Sequence, residues 1–367
     1  MKKSSKKIIP QSFGKKLKSI FIGEKKEIKL LGIIIAVGLV GIVVLVFSSS
    51  NSSFLKEKLE LENSATIADC EFRSKLTGVC VDSATAQTPA IVAVMIENHP
   101  ASRPQAGLAE ADVVYEAMVE GNYTRFMALY PYNAVVSKVG PVRSARPYYL
   151  DWVAEYGNPL YMHVGGSPDA LKIISARKMW DANEMYIGNS FWRAANRFAP
   201  HNTYTNTELW GKLIGAKIEN KYIGWNFSTT TSAVCVTQCV DFIEITYLRS
   251  SFVTGWKFNS STQNYERWQD GALHQTETGI IHADTIAIME VPVKVLDGVG
   301  RLEMKTIGTG PAVVIINGRK IMGTWQKSAL GERTNFYDSL GKEINFRPGK
   351  IWVQVVPRLS IVTFTEL

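Results

Sequence analysis

Hydrophobic positions fall along this chain in three textures. Leu30 to Phe47 (LLGIIIAVGLVGIVVLVF) is apolar throughout and carries no charge. From about Ala90, short apolar runs alternate with capped helical stretches. After about Thr231, strands and turn residues take over. As a helix, the first run would be about 27 Å long, against a hydrocarbon core about 30 Å thick. A buried core helix rarely stays apolar on every face for that length. A signal peptide has a shorter apolar core and a small-residue cleavage site, and Ser48-Ser49-Ser50 does not supply one. The run is therefore expected to span a bilayer once.

The second texture predicts a mixed α/β domain over residues 90–230. Ile91–Ile96 is a continuous apolar run, the pattern of a buried strand. Val113–Glu120 and Tyr123–Tyr130 alternate around Gly121-Asn122, a two-residue hairpin signal. Pro147–Tyr156 reads as a helix with proline in its first turn and Gly157 past its end. Leu160–Val164 is a short strand. Ser167 and Pro168 then supply an N-cap and a first helical residue, with Leu171, Ile173 and Ile174 facing the core. Residues 231–367 predict a β-rich domain, with strands at Phe242–Tyr247, Gly255–Phe258, Tyr265–Trp268, Thr285–Val295, Arg301–Ile307, Ala312–Ile316 and Trp352–Val356. The expected fold class is α+β: a mixed α/β N-terminal domain, then a β-rich C-terminal domain, behind a single transmembrane helix.

Charge orients that helix. Residues 1–29 hold ten lysines and two acidic groups, so this tail carries the whole chain's net +8, and the rest sums to zero. A lysine-dense flank stays cytoplasmic, which places the N-terminus inside and the C-terminal domains outside the cell membrane. Lipid bilayer is thus the first partner expected, through Leu30–Phe47. The basic pI belongs to the tail and makes no case for nucleic acid. Residues 48–89 read as a linker containing a cysteine loop. By proximity the four cysteines pair as Cys70–Cys80 and Cys235–Cys239, which an extracytoplasmic location permits. A four-thiolate zinc site is the rival, but neither pair has C-x2-C spacing, so no metal and no cofactor are expected.

Candidate chemistry clusters in the first domain. With Gly121 and Asn122 as the loop, Glu116, Glu120 and Arg125 would share one face of the hairpin, the glutamates about 13 Å apart. That is wider than the usual glycosidase pairs. Loops holding Arg103, Arg143, Ser144 and Arg146, with Gly165-Gly166-Ser167 ahead of a helix, suit an anion, because arginine forks and helix N-terminal N–H groups favour one. His163 and His201 are candidate acid/base groups, and Asn202 follows the second. No G-x-S-x-G, phosphate-binding loop or dinucleotide fingerprint is present. The alternative for the arginines is mutual pairing with Glu110, Asp112, Glu116 and Glu120.

Several long motifs resemble a known family. They are the run Val94 to Leu108 (VMIENHPASRPQAGL), Ala111 to Glu116, Glu120 to Phe126, Gly140 to Arg146 (GPVRSAR), Pro200-His201-Asn202, Leu76-Thr77-Gly78, Gly323 to Lys327 and Pro348 to Trp352. Together they resemble the YerB-like family of bacterial envelope proteins from about Leu76 to Pro357. The resemblance implies an extracytoplasmic, membrane-tethered protein in two parts. It brings no assigned activity, so it carries over no catalytic residue. Members are often lipid-anchored through a cysteine, whereas this chain offers its hydrophobic helix instead, and its cysteine pairs look like additions.

Three functions fit these readings. The first is a tethered envelope protein binding a carboxylate or phosphate of the cell wall through Arg103, Arg125, Arg143, Ser144, Arg146, Ser167 and Asn202. The second is an envelope hydrolase acting on peptidoglycan or another glycan, with Glu116 or Glu120 as acid/base and His163 or His201 assisting. The third is a non-catalytic scaffold whose partner is another envelope protein.

Overall fold

The computed structural model describes residues 70–215, 221–229, 235 and 239–366, all within the compact unit Ala65–Leu367. The expected span Leu30–Phe47, the basic tail and residues 48–69 of the linker lie outside the described residues. Among the described residues no helix is long and apolar enough to cross a membrane.

The N-terminal half supplies strands β1 (Ile91–Glu97), β2 (Val113–Val119), β3 (Tyr123–Pro131), β4 (Leu160–His163) and β5 (Asp181–Asn183), with helices α1 (Pro147–Val153), α2 (Pro168–Arg177) and α3 (Thr207–Ile214). The C-terminal half is built from strands: β6 (Val240–Ile245), β7 (Thr254–Asn259), β8 (Asn264–Gln269), β9 (Ala272–Leu273), β10 (His282–Ala283), β11 (Thr285–Glu290), β12 (Gly308–Ile316), β13 (Arg319–Lys327), β14 (Asn335–Asp338), β15 (Ile351–Val356) and β16 (Val362–Glu366). The protein is β-rich with few helices.

Two sheets organise these strands. One has ten strands in the order β14-β13-β12-β11-β15-β2-β3-β1-β4-β5; the other runs β9-β8-β7-β6-β16, with β10 also against β8. In the large sheet β15 pairs in parallel with β2, from Ile351 opposite Val113 to Gln354 opposite Glu116. The sheet therefore runs continuously across the boundary expected at residue 230.

Both faces of its centre are covered, which is why β1 and β2 are buried at every position. On one face α1 stacks Trp152 on Tyr115 at 5.5 Å. On the other the small sheet packs Trp256 edge-on against Trp352 at 5.1 Å.

Most expected elements form where the pattern put them. Helix α1 and the 3-10 turn Ala154–Tyr156 end at Gly157, whose φ of +76° suits glycine. Helix α2 starts from Ser167, whose hydroxyl accepts from Ala170 N–H. The expected strand Thr285–Val295 is two, because Val291 and Pro292 interrupt it. Helix α3, capped by Asn206, was not among the expected elements. Both disulfides, Cys70–Cys80 and Cys235–Cys239, are formed.

The hairpin corrects a second expectation. Its loop is the three-residue turn Glu120–Asn122, so Val119 pairs with Tyr123 and Ala117 with Arg125. One residue of slip turns every side chain of one strand to the opposite face. Arg125 therefore lies on the α1 face with Ala117, and Glu116 on the small-sheet face with Phe126. The expected Glu116–Arg125–Glu120 network does not exist.

Two buried carboxylates instead lock the halves together. Glu116 accepts from Arg267 Nη2 at 2.8 Å and from the Thr124 hydroxyl at 2.8 Å. Glu155 accepts from Lys327 Nζ at 2.6 Å, from Arg333 Nη1 at 3.3 Å and from Thr334. Both carboxylates are fully desolvated.

Candidate functional site

β1, β2, β4 and β5 run in one direction, so their carboxyl ends (Glu97, Val119, His163 and Asn183) share an edge of the sheet. Open sheets with parallel strands commonly place their sites at such an edge. A cleft of about 290 Å³ opens there, lined by Glu97, His99, Glu120, Tyr123, Arg125, Arg143, His201 and their neighbours.

Glu97 anchors it. As the last residue of β1 it sits directly across from Arg125 on β3. Only 5% of Glu97 is exposed, yet its carboxylate does not pair with that arginine. Its Oε1 accepts from Arg143 Nε at 3.0 Å and its Oε2 from His201 Nδ1–H at 2.8 Å. The imidazole of His201 is thereby oriented with Nε2 as its remaining ring nitrogen. Its ring stacks on His99 at 4.6 Å, and His99 leans on Tyr123 at 5.2 Å. Burial first, then the His201 charge, holds the His99 pKa below its ordinary 6.5.

Glu120 and Arg146 form the opposite wall. Arg146 Nε donates to both Glu120 oxygens, at 2.6 and 2.8 Å. Burial pushes the Glu120 carboxyl up, but the hydrogen bonds and charge of Arg146 outweigh it, so its pKa lies below the ordinary carboxylate value.

Arg125 stands between the two pairs. It is 7% exposed, and Nη1 donates to the Ser144 carbonyl at 2.6 Å. Among the described residues no carboxylate pairs with it, and neither Nε nor Nη2 is sealed from the cleft. Burial, with the charges of Arg146 and Arg143 adding, lowers its pKa to about 10. It remains a cation at neutral pH, buried and without an ion pair of its own, with the charge of Glu120, already bound to Arg146, acting on it from a distance.

The structure thus brings together Arg125, Arg143, Arg146, Glu120 and His201 from the expected set. Ser144 contributes its backbone carbonyl, not its hydroxyl. The other expected residues lie elsewhere. Arg103 donates to the Asn98 and Ser251 carbonyls and covers Phe252. Ser167 is a helix cap, and the nearby Gly165 N–H is taken by Asn183 Oδ1. Asn202 accepts from Arg193 and donates to the Ala194 and Arg197 carbonyls, shaping the loop that carries His201.

His163 is wholly buried between the Gly165 carbonyl at 2.6 Å and Asp181 at 2.5 Å. Glu116, buried between the sheets, is a structural carboxylate. Sequence reasoning missed Glu97, His99 and Tyr123 as site residues. A carboxylate closing the apolar run IVAVMI was the available signal, because a charged residue at a strand's end lies where loops converge. Among the described residues no cluster of His, Cys, Asp and Glu could hold a metal.

Fold and cleft define a two-sheet, β-rich protein with a carboxylate-ordered group of arginines and histidines at the strand ends. The chain belongs to the DUF3048 family. Residues 76–223 match "Protein of unknown function (DUF3048) N-terminal domain" and residues 243–353 match its C-terminal domain, as the YerB-like motifs implied. The chain is 29% identical over 303 residues to "Putative lipoprotein YerB" of Bacillus subtilis (strain 168), covering 81% of this chain and 89% of that protein. It also resembles the crystal structure of the YerB protein from Bacillus subtilis, with a TM-score of 0.71 and 26% identity over 80% of this chain and all of that one.

Proposed function

We propose that this is a membrane-tethered, extracytoplasmic protein of the cell envelope, and that the cleft at Arg125 binds an anionic group of a wall ligand. The lipoprotein named among its relatives, the two disulfides and the lysine-flanked span Leu30–Phe47 support the location. Arg125 carries the binding reading: a desolvated guanidinium with no carboxylate bound directly to it costs stability unless a ligand supplies one. Candidate ligands are a cell-wall peptide carboxylate and a phosphate of a wall polymer.

The test uses the full chain in detergent at constant ionic strength, titrated with acetate or inorganic phosphate and followed by thermal shift. Saturable stabilisation that vanishes in a folded Arg125→Met variant supports the reading. No saturation by either anion overturns it.

A second reading rests on the Glu97–His201 pair. A carboxylate holding an imidazole in one tautomer is the arrangement of a general base. On that reading the cleft hydrolyses a glycan or ester beside the anion, and His201→Gln would abolish product release while leaving anion binding in place.

A further inference from the structure

Counting charge around Arg125 narrows the ligand. Five charged side chains form the cleft and its immediate wall. Arg143 is matched by Glu97, and Arg146 by Glu120. Arg125 alone is left over, so the site presents one unmatched positive charge. Its geometry is equally restrictive. Nη1 donates one of its two N–H groups to the Ser144 carbonyl, which holds that end of the guanidinium against the loop and leaves the opposite edge, Nε–H with one Nη2–H, for a ligand. These two donors point the same way from one edge of the guanidinium and fit two oxygens of a single head group. Glu97 and Glu120 line the same cleft and would face any further negative charge, at a cost. Their oxygens and His201 Nε2 also offer acceptors to a neighbouring hydroxyl or amine of the ligand.

Building on the anion-binding reading, we propose that the cleft selects a singly charged, two-oxygen head, a carboxylate or a phosphodiester, and rejects phosphate monoesters and other dianions. A peptide C-terminus or an acidic sugar would present the first chemistry, and the linkage of a phosphate-bridged polymer the second. The ligand's own hydroxyl or amine, not extra negative charge, would then satisfy the carboxylates.

The experiment is isothermal titration of the full chain in detergent at pH 8 and fixed ionic strength. The probes are acetate, dimethyl phosphate and inorganic phosphate, the last mainly a dianion at that pH. The expected result is at least tenfold tighter binding of acetate or dimethyl phosphate than of phosphate. Whichever monoanion binds better distinguishes the carboxylate source from the diester source. Glu120→Gln frees Arg146 and raises the unmatched charge to two, so the same protein should gain about tenfold or more for inorganic phosphate.

Preference of the wild-type chain for inorganic phosphate overturns the proposal while leaving the anion cleft standing. So does a Glu120→Gln variant with unchanged selectivity. Absence of binding by all three probes overturns the anion cleft and the proposal with it.

Discussion

At the scale of single residues, Arg125 trades stability for a binding role. Its guanidinium is buried, holds one carbonyl and has no carboxylate partner, so replacing it by a side chain of similar length removes a desolvated charge. We expect Arg125→Met to raise the denaturant midpoint, by about 1–2 kcal/mol of stability, and to lose the response to anions. A fall in stability of that size would mean that the Ser144 contact outweighs the buried charge, and that Arg125 holds the loop rather than a ligand.

Glu97 should behave oppositely. Its two oxygens serve Arg143 and His201. Glu97→Gln leaves Arg143 short of its counter-charge and loosens the hold on His201, and should cost about 1–3 kcal/mol, measurable in the same denaturation experiment.

At the scale of elements, the turn Glu120–Asn122 sets the geometry of the cleft, since it places Glu120 and Tyr123 on the rim and fixes the register that carries Arg125. Gly121 has φ +69°, and an added Cβ would stand 3.0 Å from the Tyr123 ring. Gly121→Val should therefore cost about 1–3 kcal/mol and weaken anion binding through the displaced ring. Normal binding in a folded variant would show that Tyr123 does not shape the site.

This turn also shows where the sequence stopped being readable. The strands β1, β2 and β3, helices α1 and α2, and both disulfides follow from local pattern, because apolar runs, caps and short loops act over a few residues. The choice between a two-residue and a three-residue turn does not, since Gly-Asn suits both, yet it decides which face Arg125 occupies. Pairings such as Glu116–Arg267 and Glu155–Lys327 join residues more than 150 apart, and no local pattern announces them. The arginine and histidine loops could be named individually, but their meeting at one edge depends on the strand order.

At the scale of the whole molecule, the two halves behave as one folding unit. Strand β15 adds directly to β2, and Glu116 and Glu155 reach across to Arg267, Lys327 and Arg333. Acid should be felt at this join. His274 accepts a hydrogen bond on Nδ1 from Arg267 and donates from Nε2 to Gln105 at 2.9 Å. Burial, with the charges of Arg267 and Arg103, holds its pKa well below 6.5. Below about pH 6.5 the unfolded chain therefore takes up a proton that the folded protein refuses, and stability falls as pH drops. His99 and His282, also lowered chiefly by burial, add to the same slope. His274→Gln should flatten that acid limb of the midpoint-against-pH curve while leaving its level above pH 7 little changed in slope.

The stronger consequence of the join is cooperativity. If β15 and β2 unfold together, calorimetry of the full chain should give one transition for the described region, coincident by near- and far-ultraviolet circular dichroism. Glu155→Ala strands Lys327 and Arg333 in the interior, a change of about 3–5 kcal/mol, and should lower that single transition by about 5–10 °C rather than divide it. Two transitions in the parent chain, or a split produced by Glu155→Ala, would mean that the continuous sheet joins two units stable on their own. The cleft, built wholly from the N-terminal half, would then keep its anion response after the C-terminal half had melted. With one transition, ligand binding at Arg125 must instead raise the melting of β15 and the small sheet by the same amount as that of β1 to β5.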